Sequence, residues 1–408
     1  MASDSATIPV GYKQTEVGVI PEDWDVFTLG DISRKITDGT HYTPSYVNSG
    51  VPFYSVETVT SDDFSNTKFI SDEEHQQLIK RCNPEKGDIL MTRIGTLGIT
   101  KKIDWECDAS IYVSLCLLKP NGVVDYSYVS AYSKSQRFVK EVEKRSLLGA
   151  TPKKINMNRI ADIPLACPSN ALECLEISET LNEADAQIKA LENLTEKKRN
   201  IKQATMQELL TGKTRLPGFT GEWKNKRLEE VAKIKTGSRN NQDKIADGKY
   251  PFFVRSQTVE RIDTFSHECE AILVPGDGKI GSIFHYINGR FDVHQRVYAI
   301  TRFDSNACGK YILYFMSNFF GPYALENTVK ATVDSLRLPT FQNFVIHLPP
   351  TIEEQEAIAE ALSDMDAEIT ALEQLLEKTK AIKQGMMQQL LTGRIRLMDP
   401  STPVEASA

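Results

Sequence analysis

The chain has 408 residues, of which 40% are hydrophobic and 25% charged, and its formal net charge is −7 at pH 7. This length exceeds what one continuous core normally supports, so we expect several domains. The sequence has no apolar run long enough to span a membrane, no signal-peptide pattern and no C-x-x-C pair among its seven cysteines, which argues against a membrane protein, a disulfide framework and a zinc ribbon and predicts a cytoplasmic protein with reduced thiols.

The first part of the chain, residues 1–168, is here called the first module. Residues 88–95 (DILMTRIG) and 112–120 (YVSLCLLKP) have the composition and spacing of strands. A helix is predicted near Tyr126–Arg145. The first module is therefore predicted to be an α+β domain.

A long helix is predicted next, over residues 169–216. Its apolar residues recur at steps of three and four, which is the spacing of a coiled-coil seam. Gly212 lies where a helix C-terminus is expected. The seam residues are Ile177, Leu181, Ala184, Ile188, Leu191 and Leu209.

Residues 217–349, here called the second module, also have strand-like segments between turn residues. The helix prediction in this module lies near Lys310–Phe320, and a turn is predicted at Asn288–Gly289. The module is mildly basic. The predicted strands are 250–254 (YPFFV), 270–275 (EAILVP), 283–291 (IFHYINGRF) and 296–300 (RVYAI).

A second long helix is predicted over residues 350–398, followed by a disordered tail at 399–408. This end of the chain is strongly acidic, and Gly393 lies where the helix is expected to end. The seam residues are Ile358, Leu362, Met365, Ile369, Leu372, Leu376, Met386 and Leu390.

The chain contains an internal repeat. Residues 179–216 align with residues 360–397 without a gap, with 22 identities in 38 pairs. Upstream, VPFYSV (51–56) resembles YPFFVR (250–255), and Gly95-x-x-Gly98 resembles Gly278-x-x-Gly281. Because the modules otherwise differ in length and sequence, the repeat unit is a variable module followed by a near-constant helix.

The sequence motifs do not predict an enzyme. Gly276-Asp-Gly278-Lys-Ile-Gly281 has dinucleotide-loop spacing, but a strand-like segment follows where a helix would be required. The Asn/Asp-Pro-Pro-aromatic loop of adenine methyltransferases and a Walker A loop are missing, and the six histidines lack metal-ligand spacing. We therefore expect no catalytic residue, cofactor or metal in this chain.

Polar loops with Gly, Ser, Thr, Asn and Arg recur at related places in both modules. Arginine suits guanine, Asn and Gln suit adenine, and backbone N–H groups suit phosphate; the alternative is that these loops are ordinary turns. The candidate DNA-binding residues are Thr37, Gly39, Thr40, His41, Thr43, Tyr46, Arg93, Thr96, Thr151, Lys153 and Lys154 in the first module, and Thr236, Ser238, Arg239, Asn240, Asn241, Arg255, Ser256, Gln257, Lys279, His294, Gln295 and Arg296 in the second.

The sequence closely resembles the specificity subunits of type I restriction–modification systems. The resemblance covers nearly the whole chain and is carried by GYKQTEVGVIPEDWDVFTLGDI (11–32), GEWKNKRLEEVAKIKTGSRNN (221–241), PPTIEEQEAIAEALSDMDAEI (349–369) and the two helix ends at 201–216 and 382–397. The first copy departs from the pattern, because PSNALECLEISETL lacks the pair Glu354-Gln355.

The resemblance implies an α+β fold in which two target recognition domains are separated by two long helices, paired as an antiparallel coiled coil with pseudo-twofold symmetry. Each domain would read one half of a bipartite double-stranded DNA site. Two methyltransferase subunits would methylate adenine N6 with S-adenosylmethionine, and two restriction subunits would use ATP and Mg. The alternatives are a coiled-coil scaffold or adaptor whose modules bind proteins, and a solitary repressor-like remnant; the repeated polar loops favour DNA recognition.

Overall fold

The computed structural model describes residues 8–147, 149–327 and 335–398, and the tail predicted at 399–408 lies outside these ranges. The chain divides into two compact units. Unit 1 comprises Met1–Ala190 and Leu376–Ala408, and unit 2 comprises Leu191–Leu375. Each predicted module therefore falls within one unit.

Unit 1 combines short strands with helices. Its largest sheet has the order β4-β10-β7-β8, and a second sheet has the order β6-β5-β9. Its elements up to the long helix are β1 (Tyr12–Thr15), β2 (Gly18–Pro21), β3 (Trp24–Thr28), β4 (Ser33–Asp38), β5 (Val51–Tyr54), α1 (Val56–Ser61), β6 (Lys68–Ile70), α2 (Asp72–Leu78), β7 (Ile89–Thr92), β8 (Thr100–Lys102), β9 (Ser110–Ile111), β10 (Leu115–Pro120), α3 (Tyr126–Ser133), α4 (Gln136–Arg145), α5 (Met157–Ala161) and β11 (Pro164–Pro168).

The long helix α6 (Ala171–Leu210) follows and continues into the residues of unit 2. Unit 2 contains a six-stranded sheet of order β13-β18-β16-β17-β14-β15. Its further elements are β12 (Lys224–Arg227), α7 (Leu228–Val231), β13 (Lys233–Thr236), β14 (Tyr250–Phe253), β15 (Glu260–Ile262), β16 (His267–Pro275), β17 (His285–Val293), β18 (Val297–Thr301), α8 (Gly309–Glu326), α9 (Leu338–Gln342), β19 (Val345–Leu348) and α10 (Ile352–Leu390).

The predicted α+β class is confirmed, and so are the two long helices, with 40 residues in α6 and 39 in α10. Their halves pack together in antiparallel directions within each unit. In unit 2, Lys198 and Lys202 of α6 pair with Glu368 and Asp366 of α10. In unit 1, Lys383 pairs with Asp185. Because Asp185 and Lys202 are the repeat equivalents of Asp366 and Lys383, both units contain the same lysine–aspartate pair.

Each unit's hydrophobic core contains the beginning of one long helix and the end of the other. In unit 1, Ile177 and Leu181 of α6 are buried with Leu390 and with Leu391, which directly follows α10. In unit 2, Ile358 and Leu362 of α10 belong to the same core as Met206, Leu209 and Leu210 of α6. The apolar stripe of each helix is therefore buried at both ends, once in each unit.

A buried ion pair repeats the same arrangement. Arg215 Nε and Nη2 donate to the carboxylate of Glu354 over 2.8 and 2.6 Å. Arg396 Nε and Nη2 donate to Glu173 over 2.6 and 2.7 Å. Both glutamates are almost completely buried. The first copy therefore keeps the glutamate of Glu354-Gln355 as Glu173, and the glutamine of that pair is replaced by Cys174.

Two details differ from the predictions. The helix expected near Tyr126–Arg145 is two helices, because Lys134 and Ser135 end α3 and cap α4, and the Ser135 hydroxyl accepts from Phe138 N. No turn occurs at Asn288–Gly289. Strand β17 runs through both residues, which pair with β16 in regular register. An Asn-Gly pair favours a hairpin turn only where the flanking strands pair with each other, and here both flanks pair with a third strand.

The structure contains no helix, among the residues it describes, with the length and apolar character needed to cross a membrane.

Candidate nucleic-acid interface

In the first module, the loop that follows β4 brings several predicted residues together. Thr37 lies at the end of β4, and Gly39 packs so closely on Ile111 that a Cβ atom would lie 2.0 Å from the Ile111 oxygen. Thr40 N donates to the same oxygen over 3.0 Å. The loop lines a cleft of about 310 Å³, to which Arg81 also contributes. The glycine is therefore required by backbone packing, and the polar side chains beside it border a cleft.

Arg93, the only arginine predicted to bind DNA in this module, is buried. Its Nη1 donates to Asp38 Oδ2 over 3.1 Å and to the Val113 oxygen over 3.0 Å, while its Nε donates to the Ile155 oxygen over 3.3 Å. The guanidinium thus joins the loop after β4 to the segment that contains Lys153 and Lys154. DNA contact by Arg93 stays a prediction.

The other predicted residues of the first module are exposed. Thr96 lies in the turn after β7, where Gly95 N donates to the Lys153 oxygen over 2.8 Å, so the lysine segment lies beside this turn. The Tyr46 ring has Lys68 Nζ 4.6 Å from its centroid. The exposed set consists of His41, Thr43, Tyr46, Thr96, Thr151, Lys153 and Lys154.

In the second module, the loop after β13 carries the corresponding group. Arg239 Nε donates over 3.1 Å to Asp292, which is completely buried. Gln295 Nε2 donates to Asn240 Oδ1 over 2.5 Å. The exposed Ser238 and Asn241 belong to the same loop, and the exposed Thr236 ends β13 directly before it. The structure therefore places the loop after β13 next to the turn between β17 and β18.

A second group of predicted residues surrounds a cavity of about 430 Å³, whose lining includes Asn241, Arg255, Ser256 and His294. Arg255 Nη1 lies 3.2 Å from Asp277 Oδ2. Burial lowers the pKa of His294, and the charge of Arg255 lowers it further, so the imidazole is neutral at pH 7. The remaining predicted residues, which the cavity lining does not include, are the exposed Gln257, Lys279 and Arg296.

Several backbone contacts around these loops correspond in the two modules. Thr40 N donates to the Ile111 oxygen, and Arg239 N donates to the Val293 oxygen over 3.2 Å. The parallel bridges Thr40–Tyr112 and Arg239–His294 also correspond. Thr40 and Arg239 therefore occupy equivalent positions.

The loops after β7 and β16 correspond as well. Arg93 N donates to the Ser114 oxygen over 2.9 Å, and Gly276 N donates to the Arg296 oxygen over 2.8 Å. Gly95 and Gly278 have φ angles of +85° and +86°, a left-handed conformation that favours glycine. The first module therefore has Arg93 and Ser114 at these two positions, whereas the second module has Gly276 and Arg296.

Three residues beside these loops, Asp38, Asp292 and Arg81, carry no sequence signal that points to the site. Asp38 is part of the Thr37–His41 motif but is acidic, and Asp292 directly precedes the strand end at Val293. Arg81 lies 43 residues from Asp38, to which its Nη2 donates. No local pattern connects residues so far apart in the chain. Among the described residues, no group of His, Cys, Asp and Glu could hold a metal ion.

Comparison with known proteins relates most of the chain to one family. The profile described as "Type I restriction modification DNA specificity domain" matches residues 21–203 and 220–384. The chain is 22% identical to the putative type I restriction enzyme MjaX specificity subunit of Methanocaldococcus jannaschii, over 95% of this chain and 97% of that one. It is 29% identical over 171 residues to the EcoDI specificity subunit of Escherichia coli, a stretch that spans 37% of that subunit and 42% of this chain.

Solved structures show the same fold. The S subunit of a type I system from M. genitalium superposes with a TM-score of 0.65 at 14% identity and covers 90% of this chain and 96% of its own. A chain from a structure concerned with complex assembly and conformational transition of the type I system superposes with a TM-score of 0.52 at 15% identity, over 92% of this chain and 99% of that one. At these identities the likeness concerns the fold alone.

Proposed function

The chain belongs to the type I restriction modification DNA specificity family, and from this premise we propose how its two modules divide the recognition of DNA. The protein is the DNA specificity subunit of a type I restriction–modification system and its non-catalytic component. We propose that the target is bipartite, that a target recognition domain at residues 1–168 reads one half, and that a second at 217–349 reads the other.

One observation carries this proposal: equivalent backbone positions have different polar side chains in the two modules. Thr40 corresponds to Arg239, and Ser114 corresponds to Arg296. Each base pair presents its own pattern of donors and acceptors in the major groove. A duplicated loop arrangement that exchanges its hydrogen-bonding groups would therefore recognise two different half-sites.

The candidate residues divide by chemistry. Arg239 and Arg296 suit the O6 and N7 atoms of guanine, whereas Asn240 and Gln295 suit adenine. Because Gln295 already donates to Asn240, an adenine there would bind the amide pair or replace their mutual hydrogen bond. Lys153 and Lys154 suit phosphates, which position the protein on the duplex without reading sequence.

The net charge of −7 argues that this chain does not hold DNA alone, because affinity for phosphates comes from Lys and Arg. We propose that two methyltransferase subunits dock on the helical segments 169–216 and 350–398 and supply the missing cationic surface. They would use S-adenosylmethionine to methylate adenine N6. Two restriction subunits, with ATP and Mg²⁺, would complete a cytoplasmic enzyme for DNA methylation and phage defence.

The test is an exchange of modules. Residues 220–345 are replaced with the corresponding segment of a related specificity subunit, and the methylated sites are sequenced in cells that also express the methyltransferase. We expect one half-site to change while the other half-site and the spacer between them stay the same.

The exchange also shows how the proposal would fail. If both half-sites change together, the modules do not read independently. If neither changes while methylation persists, the second module does not read DNA. The reciprocal exchange of residues 20–165 controls for a general loss of fidelity, because it should change only the other half-site.

A further inference from the structure

Each module has one buried carboxylate directly beneath its candidate loops. The side chain of Asp38 is 6% exposed and that of Asp292 is 0% exposed. Both belong to strands that end at the loops, β4 in the first module and β17 in the second. Because both carboxylates are buried beneath the loops and carboxylates repel phosphates, a role in direct DNA contact does not explain them.

Asp38 is surrounded by three cationic or titratable side chains. Arg81 Nη2 donates to its Oδ1, and Arg93 Nη1 donates to its Oδ2 over 3.1 Å. His41 Nε2 lies 2.9 Å from Oδ2. Arg93 is buried, but the side chains of Arg81 and His41 are 58% and 60% exposed and both line the 310 Å³ cleft. Asp38 therefore holds the side chains of Arg81 and His41 by one contact each, while the rest of both side chains faces solvent.

Asp292 is the buried carboxylate of the second module, and it has different partners. Its carboxylate accepts hydrogen bonds from Ser266 Oγ over 2.7 Å, Thr264 Oγ1 over 2.8 Å and Arg239 Nε over 3.1 Å. These hydrogen bonds outweigh the effect of burial and hold its pKa below the usual value. The bond to Arg239 uses Nε, and a guanidinium has four further N–H donors on its two Nη atoms. The side chain of Arg239 is 39% exposed.

The two carboxylates are not copies of one another. Asp38 lies two residues before Thr40, on the strand that leads into the loop. Asp292 lies on the opposite strand, where the first module has Ser110, because Phe53 pairs with Ser110 as Phe252 pairs with Asp292. Each module thus has a carboxylate beneath the equivalent loop, but at a different position of the fold. A simple duplication would have placed both carboxylates at the same position.

Stability alone is a weak explanation as well. The guanidinium groups of Arg81 and Arg239 stay partly in water, and ion pairs with such exposed partners typically contribute little to stability, so the geometry that the pairs impose is the better explanation. An arginine held by one carboxylate keeps a single orientation and loses less side-chain entropy when it binds a base. The arrangement therefore favours a role in orienting the cations.

We propose that Asp38 and Asp292 are positioning residues for base recognition: Asp38 orients His41 and Arg81 toward one half-site, and Asp292 orients Arg239 toward the other. The inference rests on the proposed function and deepens it. It also adds Arg81 to the residues that contact DNA. Each carboxylate acts through its own module, so removing one should affect one half-site only.

The experiment uses the chain assembled with its methyltransferase partner and a DNA library randomised at both half-sites. Methylated molecules are sequenced, and the ratio of preferred to other bases is determined at every position. We expect Asp38→Asn and Asp292→Asn each to reduce this ratio roughly tenfold at one or two positions of one half-site, and the two variants to affect opposite halves. Because the result is a ratio, a smaller amount of active complex does not alter it.

The matched control is Asp88→Asn. Asp88 is a buried carboxylate in the same unit that pairs with Lys119 over 2.7 Å, away from the loop after β4, and we expect it to leave every base ratio unchanged. Equal effects of Asp38→Asn and Asp88→Asn on base ratios would assign Asp38 a structural role and overturn the inference. If Asp38→Asn does not assemble, Arg81→Lys keeps the charge but moves the donors, and unchanged base ratios in that variant would also overturn it.

Two comparisons separate this inference from the proposed function. If Arg239→Ala changes a half-site while Asp292→Asn does not, the loop reads DNA but Asp292 does not position it. If the module exchange leaves both half-sites unchanged, the proposed function itself is wrong.

Discussion

The two copies of the repeat keep the same side chains at the ends of the long helices but have different side chains in the polar loops. At the helix ends, Arg215–Glu354 and Arg396–Glu173 are the same ion pair made twice. In the loops, corresponding backbone hydrogen bonds form in both modules, but the side chains at equivalent positions differ. Arg296 of the second module, for example, corresponds to Ser114 of the first. The difference indicates that side-chain identity is required where the helices are held together, whereas only the backbone path is kept in the loops predicted to read DNA.

The largest expected effect follows from lengthening the constant region. Duplicating residues 187–190 in α6 together with residues 372–375 in α10 adds about one turn, ~6 Å, to each helix. Asp185 and Lys383 lie on one side of the added turns and Lys202 and Asp366 on the other, so both pairs keep their register. Since DNA rises ~3.4 Å per base pair, methylome sequencing should find both half-sites unchanged and a spacer longer by about one or two base pairs.

A spacer that stays the same at full activity, or altered half-site bases, would show that the helices do not set the spacing. The control is an insertion of two residues at the same points. It rotates each apolar stripe by about 200°, so we expect the complex not to assemble.

The second prediction concerns the repeated ion pair. Arg396→Ala leaves Glu173 buried without its partner, and Arg215→Ala does the same to Glu354; we expect each to lower the free energy of unfolding by ~3–5 kcal/mol. Urea denaturation of the purified chain measures this loss. Lys213→Ala removes an exposed partner of Glu208 and should change little. Equal stability of all three variants would contradict a special role for the repeated pair.

The third prediction concerns one divergent loop position. Arg296→Ala should reduce discrimination at a single base position by ~1–3 kcal/mol if this arginine reads guanine, and should leave the other half-site unchanged. Arg290→Ala, an exposed arginine of the same module that pairs with Glu268, serves as the control. A uniform loss of methylation on all sequences would instead identify Arg296 as a phosphate contact.

The smallest expected effect is a pH dependence in unit 1. Burial raises the pKa of Asp185, but the hydrogen bonds from Lys134 and Lys383 outweigh it and hold the pKa below its usual value. A pKa that is lower in the folded state stabilises the fold above the unfolded pKa, and this contribution is lost as pH falls through the folded pKa. The stability difference between the wild-type chain and Asp185→Asn should therefore be constant near neutral pH and shrink as the pH falls below the unfolded pKa of about 3.9; a difference that stays constant in acid would argue against this contribution.

The sequence predicted the features that repeat. The identities between 179–216 and 360–397 correctly predicted two long helices, and VPFYSV and YPFFVR correctly identified equivalent strands, because β5 and β14 pair in the same register with β9 and β17. Such features can be predicted because a local pattern determines them.

Features that depend on contacts between distant residues were missed. Arg81 reaches Asp38 only after β4 and the residues that follow α2 come together, and the Asn288–Gly289 pair is extended only because β16 lies beside it. The candidate site was predicted as a set of loops, and their adjacency was not. The roles of the individual loop residues in DNA binding stay predictions.

The shared cores have a consequence for how the chain folds as it is synthesised. Unit 2 is one continuous stretch, Leu191–Leu375, whereas unit 1 needs residues after 375 to complete its core. At a synthesis rate of ~5–20 residues per second, Leu390 and Leu391 are added roughly 10–40 s after Leu181, which belongs to the same hydrophobic core. The N-terminal unit is therefore completed last, and in a chain that ends before residue 376 we expect Ile177 and Leu181 to be covered less completely and more open to chaperones or proteases.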